Sequence, residues 1–224
     1  MKCILLCAGY ATRLFPLTEN FPKALLDIEA GKPLLDYILD EVNTIDIVDE
    51  IYLITNAKYY NHFNDWAMKK NNVKKITVIN DMTDSNDNRL GAIGDIKYVI
   101  DSQKINDDLL IIAGDNLFDY KLKDVVDYYK NAVTVCAKQI NDINILKGFA
   151  VAKLDSDDRI LDLEEKPENP KSDIGVYATY LYPKFVINEI VNYLKEGNKP
   201  DAPGYLVEYL YKKYPVYAYK FEGN

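Results

Sequence analysis

The residues at positions 7–14 are of the types that form a phosphate-binding loop. The stretch CAGYATRL contains small residues, which let a backbone approach a phosphate closely, and its consecutive N–H groups can form a concave anion site. Arg13 can place its forked guanidinium on phosphate oxygens, and Lys23, ten positions later, adds a second positive charge. This pattern predicts binding of a ligand that carries phosphate groups.

Strand-like and helix-like segments alternate along the first half of the chain and place this loop at the edge of a sheet. The predicted strands are 3–6, 51–55, 75–79 and 109–113, and the predicted helices between them are 33–42, 59–70 and 92–100. The apolar runs lack alternation, which indicates parallel strands covered on both faces. Ligands bind at the carboxyl ends of such strands, where the 7–14 loop begins.

The second half of the chain shows the pattern of a mixed sheet. It contains predicted helices at 121–129, 185–194 and 205–213, and predicted strands at 133–137, 149–154, 160–164, 176–182 and 216–221. The polar segment 155–158 indicates a hairpin, so part of this half is antiparallel. The sequence shows no linker or repeat. We therefore expect one α/β domain over residues 1–224, in which both halves share a mixed, mostly parallel central sheet.

The formal net charge of −8, from 27 Lys and Arg against 35 Asp and Glu, limits the possible partners. An acidic surface repels DNA, RNA and anionic membranes, and no Lys- or Arg-rich block offsets it. We therefore expect neither nucleic acid nor a membrane as a partner. A phosphorylated ligand would bind only where cations and backbone N–H groups are concentrated.

The hydropathy pattern indicates a cytoplasmic protein. No apolar run reaches the roughly 18 residues that cross a membrane, and the N-terminal run at 3–8 is too short for a signal-peptide core. Cys3, Cys7 and Cys136 are an odd number of cysteines with no close C-x-x-C pair. We interpret them as reduced residues of the core.

Residues 5–39, LLCAGYATRLFPLTENFPKALLDIEAGKPLLDYIL, resemble the signature of sugar-phosphate nucleotidyltransferases. The shared features are the small-residue loop followed by T-R-L, P-L-T, P-K and G-K-P. The signature is most similar to the glucose-1-phosphate thymidylyl- and uridylyltransferases in a single-domain form. The resemblance implies a Rossmann-like three-layer α/β/α sandwich. It also implies a Mg²⁺-dependent enzyme that transfers a nucleoside monophosphate from a nucleoside triphosphate to a sugar 1-phosphate and releases pyrophosphate.

The resemblance further implies which residues meet the nucleotide. Arg13 would contact the β- and γ-phosphates, Lys23 would bridge the α-phosphate and the incoming phosphate, and Asp115, in a Gly-Asp-Asn element, would hold Mg²⁺. These three are the expected catalytic residues, because phosphates that meet need cations to offset their repulsion. The expected nucleotide-binding residues are Leu6, Ala8, Gly9, Tyr10, Ala11, Thr12, Arg13, Asn80 and Gly91.

A second element, Leu-Glu-Glu-Lys-Pro at 163–167, resembles the family's E-E-K-P element. By this resemblance Glu165 contacts the sugar hydroxyls and Lys166 holds the sugar phosphate. A carboxylate beside an ammonium suits a phosphorylated polyol. Gly148 matches a family glycine that approaches the sugar, and Asn116 joins the expected substrate-binding residues.

Two departures from the family pattern concern the nucleotide. Ala11 stands where the family usually has Gly, and because Ala tolerates a positive φ poorly we expect a different detailed loop shape. Segment 88–95 matches the start of the base-recognition helix, but its usual base readers are replaced and an Asp is added at its last position. Gly91 would still let the base approach the backbone, and Asn80 or Asp81 could read its edge. The base stays open, with UTP or dTTP slightly favoured over CTP.

A third departure lies at the end of the sequence. Relatives usually continue into an aromatic-x-Asp-x-Gly element whose Asp is a second metal ligand, whereas this sequence ends at Asn224. We expect either that the C-terminal end is truncated relative to relatives, with the second ligand beyond Asn224, or that Asp115 holds the metal together with water and substrate.

Other functions stay open at this point. One is a cytidylyltransferase that acts on phosphocholine or another phospho-alcohol, and another is a catalytically weak nucleotide-binding regulatory domain. A dinucleotide oxidoreductase is not expected, because the loop lacks G-x-G-x-x-G. We interpret the Asp-Ser-Asp at 155–157 as a turn and the lone His62 as a packing residue. The tyrosine-rich segment 205–219 would pack on the sheet or on a second subunit of a homodimer.

Overall fold

The computed structural model describes residues 1–29, 31–71 and 73–222. The strands are β1 (Lys2–Leu6), β2 (Asp27–Glu29), β3 (Lys32–Pro33), β4 (Glu50–Thr55), β5 (Lys75–Asn80), β6 (Leu109–Ala113), β7 (Val133–Gln139), β8 (Ala150–Leu154), β9 (Ile160–Glu165), β10 (Ile174–Tyr182) and β11 (Val216–Lys220). The helices are α1 (Leu34–Asn43), α2 (Tyr60–Met68), α3 (Ala92–Gln103), α4 (Leu122–Tyr128), α5 (Ile143–Leu146), α6 (Val186–Lys195) and α7 (Pro203–Leu210). Gly223 and Asn224, where the sequence predicts a truncated end, lie outside the described residues.

Nine of the described strands form one sheet, with the order β11-β7-β10-β6-β1-β4-β5 and the β8–β9 hairpin attached to β10. β5, β4, β1 and β6 pair in parallel, and so do β7 and β11. β10 pairs antiparallel with β6, β7 and β8, and β9 pairs antiparallel with β8. It follows that β9 and β10 are antiparallel to the other strands of this sheet. The predicted mixed, mostly parallel sheet is confirmed, and both halves of the chain contribute to it.

Alternating residues of the central strands fill two cores, one on each face of the sheet. Ile4 of β1 packs with buried residues of α3, α6 and α7, whereas Cys3 and Leu5 pack with α1, α2 and α4 on the opposite face. Ile4 and Leu5 are fully buried, and burial of an aliphatic side chain of this size contributes roughly 1.5–3 kcal/mol. Helices on both faces confirm the three-layer α/β/α sandwich.

The longer predicted elements are all present, with ends that shift by a few residues. The hairpin between β8 and β9 closes as predicted, because Asp155 N donates to Arg159 O at 2.9 Å. The Asp155 carboxylate accepts from Asp157 N, which is the role of a turn residue. The β2–β3 pair and α5 were not predicted. The short helix α5 is capped by Asp142, whose carboxylate accepts from Asn144 N at 2.8 Å.

The cysteines and the tyrosine-rich segment both belong to the core. Cys3, Cys7 and Cys136 are buried free thiols, as predicted. The tyrosine-rich segment supplies fully buried residues of α7 and β11, so it packs on the sheet. His62 lies edge-on to the ring of Phe21, with 5.2 Å between ring centroids, in a packing role. Among the helices in the described ranges, none is both long and apolar enough to span a bilayer.

Candidate active site

A cleft of about 430 Å³ opens at the carboxyl ends of β1 and β6. The two strands are parallel neighbours, with Leu6 opposite Ala113, so the loops that follow them begin side by side. Gly114 N donates to Leu6 O at 2.9 Å, and a Cβ on Gly114 would lie 2.3 Å from the sulfur of Cys7. Glycine at this position therefore lets the loop after β1 and the Gly-Asp-Asn segment after β6 form adjoining walls of one cleft.

An ion pair joins these two walls. Lys23 Nζ lies 3.1 Å from Asp115 Oδ2 and 3.2 Å from the Asp115 backbone oxygen. Lys23 begins a one-turn 3₁₀ helix in which Ala24 and Leu25 are buried, which fixes the backbone of the lysine. Both charged side chains are partly exposed, at 35% and 53%. An ion pair exposed to this degree contributes little to folding stability. Each side chain can therefore release the other and contact a ligand instead.

Lys166 is a second lysine in the wall of the same cleft, and it directly follows the β8–β9 hairpin. Its φ of 49° lies in the left-handed region, which costs a non-glycine residue roughly 1–3 kcal/mol. The hairpin holds this backbone, since Lys166 N donates to Phe149 O at 3.0 Å. In a chain of net charge −8, Lys23 and Lys166 place two ammonium groups at this end of the cleft, where they are available to phosphate oxygens.

Glu165 is buried behind the cleft and is not part of its wall. Its side chain is 6% exposed, and a Cβ on Gly204 would lie 1.7 Å from Glu165 Oε2. The carboxyl group therefore occupies the space that Gly204 leaves at the start of α7. Burial raises the pKa of Glu165, and the nearby Lys166 ammonium opposes that rise.

Three side chains outside the predicted site residues stabilise the phosphate-binding loop. Asn56 follows β4 and donates from Nδ2 to Ala8 O at 2.9 Å. Thr18 is fully buried and donates from Oγ1 to Ala11 O at 2.8 Å, while the hydroxyl of Tyr59 donates to Thr18 O at 2.6 Å. Two of the three have a sequence signal: Thr18 belongs to the P-L-T element of the signature, and Asn56 directly follows a predicted strand at the same edge of the sheet.

Ala11 adopts the left-handed conformation, with φ 47° and ψ 38°. Glycine enters this region without steric penalty, whereas an L-residue there costs roughly 1–2 kcal/mol. Ala11 thus has the backbone conformation that glycine, the usual residue of the family here, adopts more easily than alanine. The hydrogen bond from Thr18 to its carbonyl oxygen helps to hold it there.

The structure brings several predicted site residues to the wall of this cleft. They are Leu6, Ala8, Gly9, Lys23, Gly91, Asp115 and Lys166. The predicted residues that lie outside the wall are Tyr10, Ala11, Thr12, Arg13, Asn80, Asn116, Gly148 and Glu165. Arg13 is exposed, on the one-turn helix Thr12–Leu14 that continues the phosphate-binding loop.

The far end of the cleft is formed by the start of α3 and the segment before α7. Gly91 has φ 77°, and a Cβ there would lie 2.7 Å from the backbone of Pro200. Ile93 N donates to Pro200 O at 2.9 Å, so this carbonyl satisfies one of the free N–H groups at the helix start. The group that comes close to Gly91 in this structure is the backbone of Pro200, in the place where the sequence predicts the nucleobase.

Two buried acids stand at this end of the cleft. Asp81 follows β5, and its Oδ1 accepts hydrogen bonds from Thr83 N at 2.7 Å and Thr83 Oγ1 at 2.8 Å. Asp95, in the first turn of α3, lines the cleft, and its carboxyl lies within hydrogen-bonding reach of Asp81. Burial, and then the charge of Asp81, raises the pKa of Asp95 to about 8. The raised pKa favours the protonated form of Asp95, and its proton can be shared with Asp81.

The fold and this cleft define a class of protein. A small-residue loop, two lysines and an exposed carboxylate meet at the carboxyl edge of a mostly parallel sheet, as in α/β proteins that bind phosphorylated ligands. The chain belongs to the Nucleotidyl transferase family, which matches residues 2–224. The resemblance found in the sequence is thereby confirmed.

Curated relatives are similar to this chain over most of its length. The chain is 37% identical over 186 residues to the bifunctional protein GlmU of Methanococcus aeolicus, which covers 79% of this chain and 39% of that protein. It is 32% identical over 227 residues to the bifunctional protein GlmU of Methanocaldococcus jannaschii, with coverages of 100% and 50%. It is 28% identical over 185 residues to the glucose-1-phosphate thymidylyltransferase of Streptomyces antibioticus, with coverages of 81% and 49%. The chain thus spans half or less of the length of these relatives.

The fold is also that of a solved sugar-nucleotide enzyme. The structure of a UDP-glucose pyrophosphorylase complexed with UDP-glucose superimposes with a TM-score of 0.82, at 18% sequence identity, and covers 100% of this chain and 91% of that one. At this identity the likeness concerns the fold alone, and it agrees with the three-layer sandwich described above.

Proposed function

We propose that this chain transfers a nucleoside monophosphate from a nucleoside triphosphate to a sugar 1-phosphate and releases pyrophosphate. The observation that carries the proposal is the meeting of Lys23, Asp115 and Lys166 at one cleft in an otherwise acidic protein. Membership of the family supports the class of reaction. The similarity to a glucose-1-phosphate thymidylyltransferase supports a sugar 1-phosphate as the acceptor.

In the proposed reaction an oxygen of the sugar phosphate attacks the α-phosphorus of the triphosphate. A new P–O bond forms, and the bond from the α-phosphorus to the oxygen of the leaving pyrophosphate breaks. Because both reactants are anions, their repulsion is a large part of the barrier, and preorganised positive charge lowers it. Lys23 supplies that charge at the α-phosphate, Lys166 holds the sugar phosphate, and Arg13 contacts the β- and γ-phosphates.

The loop supplies backbone N–H groups to the same phosphates. A Cβ on Gly9 would meet no atom within 4 Å, so the space beside this residue is open to a ligand. The hydrogen bond from Asn56 holds Ala8 next to it, which keeps the loop in shape before the triphosphate arrives. Glu165, buried behind the cleft, acts in this scheme by positioning Lys166.

Mg²⁺ fits the residues of the cleft, and we propose it as the cofactor. Asp115 offers a half-exposed carboxylate, the type of oxygen ligand that a hard cation prefers. Within the described ranges no three His, Cys, Asp or Glu side chains gather to hold a metal, so phosphate oxygens and water would complete the coordination. Bound Mg²⁺ would neutralise phosphate charge. Asp115 would exchange its contact with Lys23 for the metal.

The donor that we propose is a pyrimidine triphosphate: UTP, dTTP or CTP. The signature at positions 5–39 supports this group, because it is most similar to the glucose-1-phosphate enzymes. The acceptor could also be phosphocholine or another phospho-alcohol, since the lysine that holds the acceptor phosphate recognises the phosphate and not the alcohol.

A substrate panel tests the proposed function. The purified chain with Mg²⁺ is incubated with each of UTP, dTTP, CTP, GTP and ATP against hexose 1-phosphates and phosphocholine, and pyrophosphate release is measured. We expect release with at least one triphosphate and one sugar 1-phosphate, and its loss in Lys23→Ala. Release only with phosphocholine would favour the cytidylyltransferase. Tight triphosphate binding by calorimetry with no release from any pair would reject the enzyme and favour a regulatory nucleotide-binding domain.

A further inference from the structure

The pair Asp81 and Asp95 has an arrangement that the proposed reaction does not use. Asp81 is 4% exposed and Asp95 is 6% exposed, so both carboxyl groups are withdrawn from bulk water. No N–H or hydroxyl group of the described residues donates to Asp81 Oδ2 or Asp95 Oδ1. Buried acids without donors are costly. We therefore infer that the two carboxyls share one proton. Because such a pair is costly, its position beside a ligand cleft suggests a role in binding.

The charges along the cleft set which part of a nucleotide can lie against Asp95. Lys23 and Lys166 attract phosphates to the end of the cleft next to β1 and β6. At the α3 end the charge of Arg89 is offset by Asp201, with 3.1 Å between Nη2 and Oδ1. The acid pair with one shared proton keeps a negative charge there, which repels phosphates. A triphosphate bound at the lysines would therefore direct its uncharged part, the nucleoside, towards Asp95.

The number of protons on the two carboxyl groups decides between cytosine and the other two pyrimidine bases. One carboxyl proton is already engaged between Asp95 and Asp81, and Asp81 Oδ1 already accepts from Thr83. Asp95 lines the cleft and its Oδ1 is buried without a donor, so Oδ2 is the oxygen left for a ligand. With the acid proton engaged towards Asp81, Oδ2 can only accept. Cytosine presents an exocyclic amino group to such an acceptor, whereas uracil and thymine present a carbonyl oxygen at the same ring position. A carbonyl facing a carboxyl oxygen leaves both without a donor.

We propose that Asp95, positioned by Asp81, accepts a hydrogen bond from the exocyclic amino group of the nucleobase, so that the chain uses CTP ahead of UTP and dTTP. This inference rests on the proposed function for the location of the phosphates. The specificity-determining residue is Asp95, which is also the acid that segment 88–95 adds relative to the family pattern.

Equilibrium binding of CTP, UTP and dTTP, without acceptor, tests this inference separately from turnover. Calorimetry on the wild-type chain should give CTP roughly 10- to 100-fold tighter than UTP, the range expected when one buried hydrogen bond is made or lost. UTP or dTTP binding as tightly as CTP would overturn the inference and leave the proposed function standing. CTP preference without pyrophosphate release would keep the inference and reject the function. Absence of binding for all three would reject both.

Two substitutions of Asp95 provide the residue-level test. In Asp95→Asn the amide N–H can replace the proton shared with Asp81 while the carbonyl oxygen still accepts from the base, so this variant should keep the CTP preference. Asp95→Leu has no acceptor, so it should lose most of the CTP preference. Asp101→Leu is the matched control, because Asp101 lies on the same helix, is 61% exposed and pairs with Lys97 away from the cleft. A CTP-to-UTP ratio unchanged by Asp95→Leu, together with a changed melting temperature, would assign the pair to stability alone and overturn the inference. If the variant does not fold, the wild-type ratio still decides.

Discussion

Lys23 and Asp115 form an ion pair between the two loops of the cleft, with 3.1 Å between Nζ and Oδ2. In the proposed reaction the Lys23 ammonium would contact the α-phosphate, and the Asp115 carboxylate would hold Mg²⁺. The pair therefore holds both groups at the reaction position before any ligand arrives. Binding then exchanges partners of the same charge type, which limits the reorganisation that the reaction step requires.

Lys23→Ala should lower the rate of pyrophosphate release at least ~100-fold, because it removes a preorganised charge at the reacting phosphate. The unfolding free energy should change by less than about 1 kcal/mol, since the ion pair is partly exposed. Steady-state kinetics and urea unfolding measure the two effects. Lys123→Ala, which removes an exposed lysine paired with Asp127 on α4, is the control and should leave both unchanged. A near-wild-type rate in Lys23→Ala would contradict the assigned role.

Asp115→Asn should lower turnover by roughly 100-fold and raise the Mg²⁺ concentration needed for half-maximal rate, because an amide is a poorer ligand for a hard cation than a carboxylate. A Mg²⁺ titration of the rate at saturating substrates separates the two effects. Asp119→Asn, a change a few positions further along the loop after β6, serves as the comparison. An unchanged Mg²⁺ dependence in Asp115→Asn would show that this carboxylate is not a metal ligand.

Asn56→Ala should weaken triphosphate binding about tenfold and lower the unfolding free energy by roughly 1–3 kcal/mol. Asn56 is fully buried, donates to Ala8 O at 2.9 Å and accepts from Tyr59 N at 3.1 Å, so its removal leaves a buried donor and a part-buried acceptor without partners. Calorimetry and urea unfolding are the measurements. Asn61→Ala, at an exposed position of α2, should change neither. Unaltered binding in a destabilised Asn56→Ala would limit Asn56 to a structural role.

The sequence predicts most of the sheet because its strands are buried on both faces. Continuous apolar runs such as Leu109–Ala113 leave little alternative to parallel strands, and the residue that follows such a run lies at the ligand-binding edge. Asp115 was located by this reasoning together with the family signature. The β2–β3 pair escaped prediction because its residues carry no apolar run.

The relations that were not predicted join residues far apart in the chain. Glu165 is buried because Gly204, on a different element, leaves room for its carboxyl, and neither position alone indicates this. Asp81 and Asp95 interact although one follows β5 and the other lies in α3. Local patterns report propensity and burial, whereas contacts of this kind depend on the packing of complete elements.

Gly204→Ala should destabilise the fold by roughly 1–3 kcal/mol, because the added Cβ would lie 1.7 Å from Glu165 Oε2 and 3.0 Å from the Cβ of Ala150. The displaced Glu165 should also move Lys166, which would raise KM for the sugar phosphate more than for the triphosphate. Combining Gly204→Ala with Glu165→Ala should recover part of the lost stability, because the side chain in the way is gone. Additive losses in this double-mutant cycle would contradict the packing relation.

The stability of the protein should fall as pH rises from about 4 to about 8, and Asp95 should be a main cause. Its pKa is raised from 3.8 to about 8 in the folded chain, chiefly by burial and then by Asp81, so the folded state keeps a proton that the unfolded state releases. This stabilisation is complete below the unfolded pKa and is lost as pH passes the folded one. One such proton gives a slope of at most about 1.4 kcal/mol per pH unit. Urea unfolding across this range should therefore show a flatter profile for Asp95→Asn than for the wild type or for Asp101→Asn. Parallel profiles for all three proteins would mean that Asp95 is already ionised in the fold, and its shared proton with Asp81 would have to be abandoned.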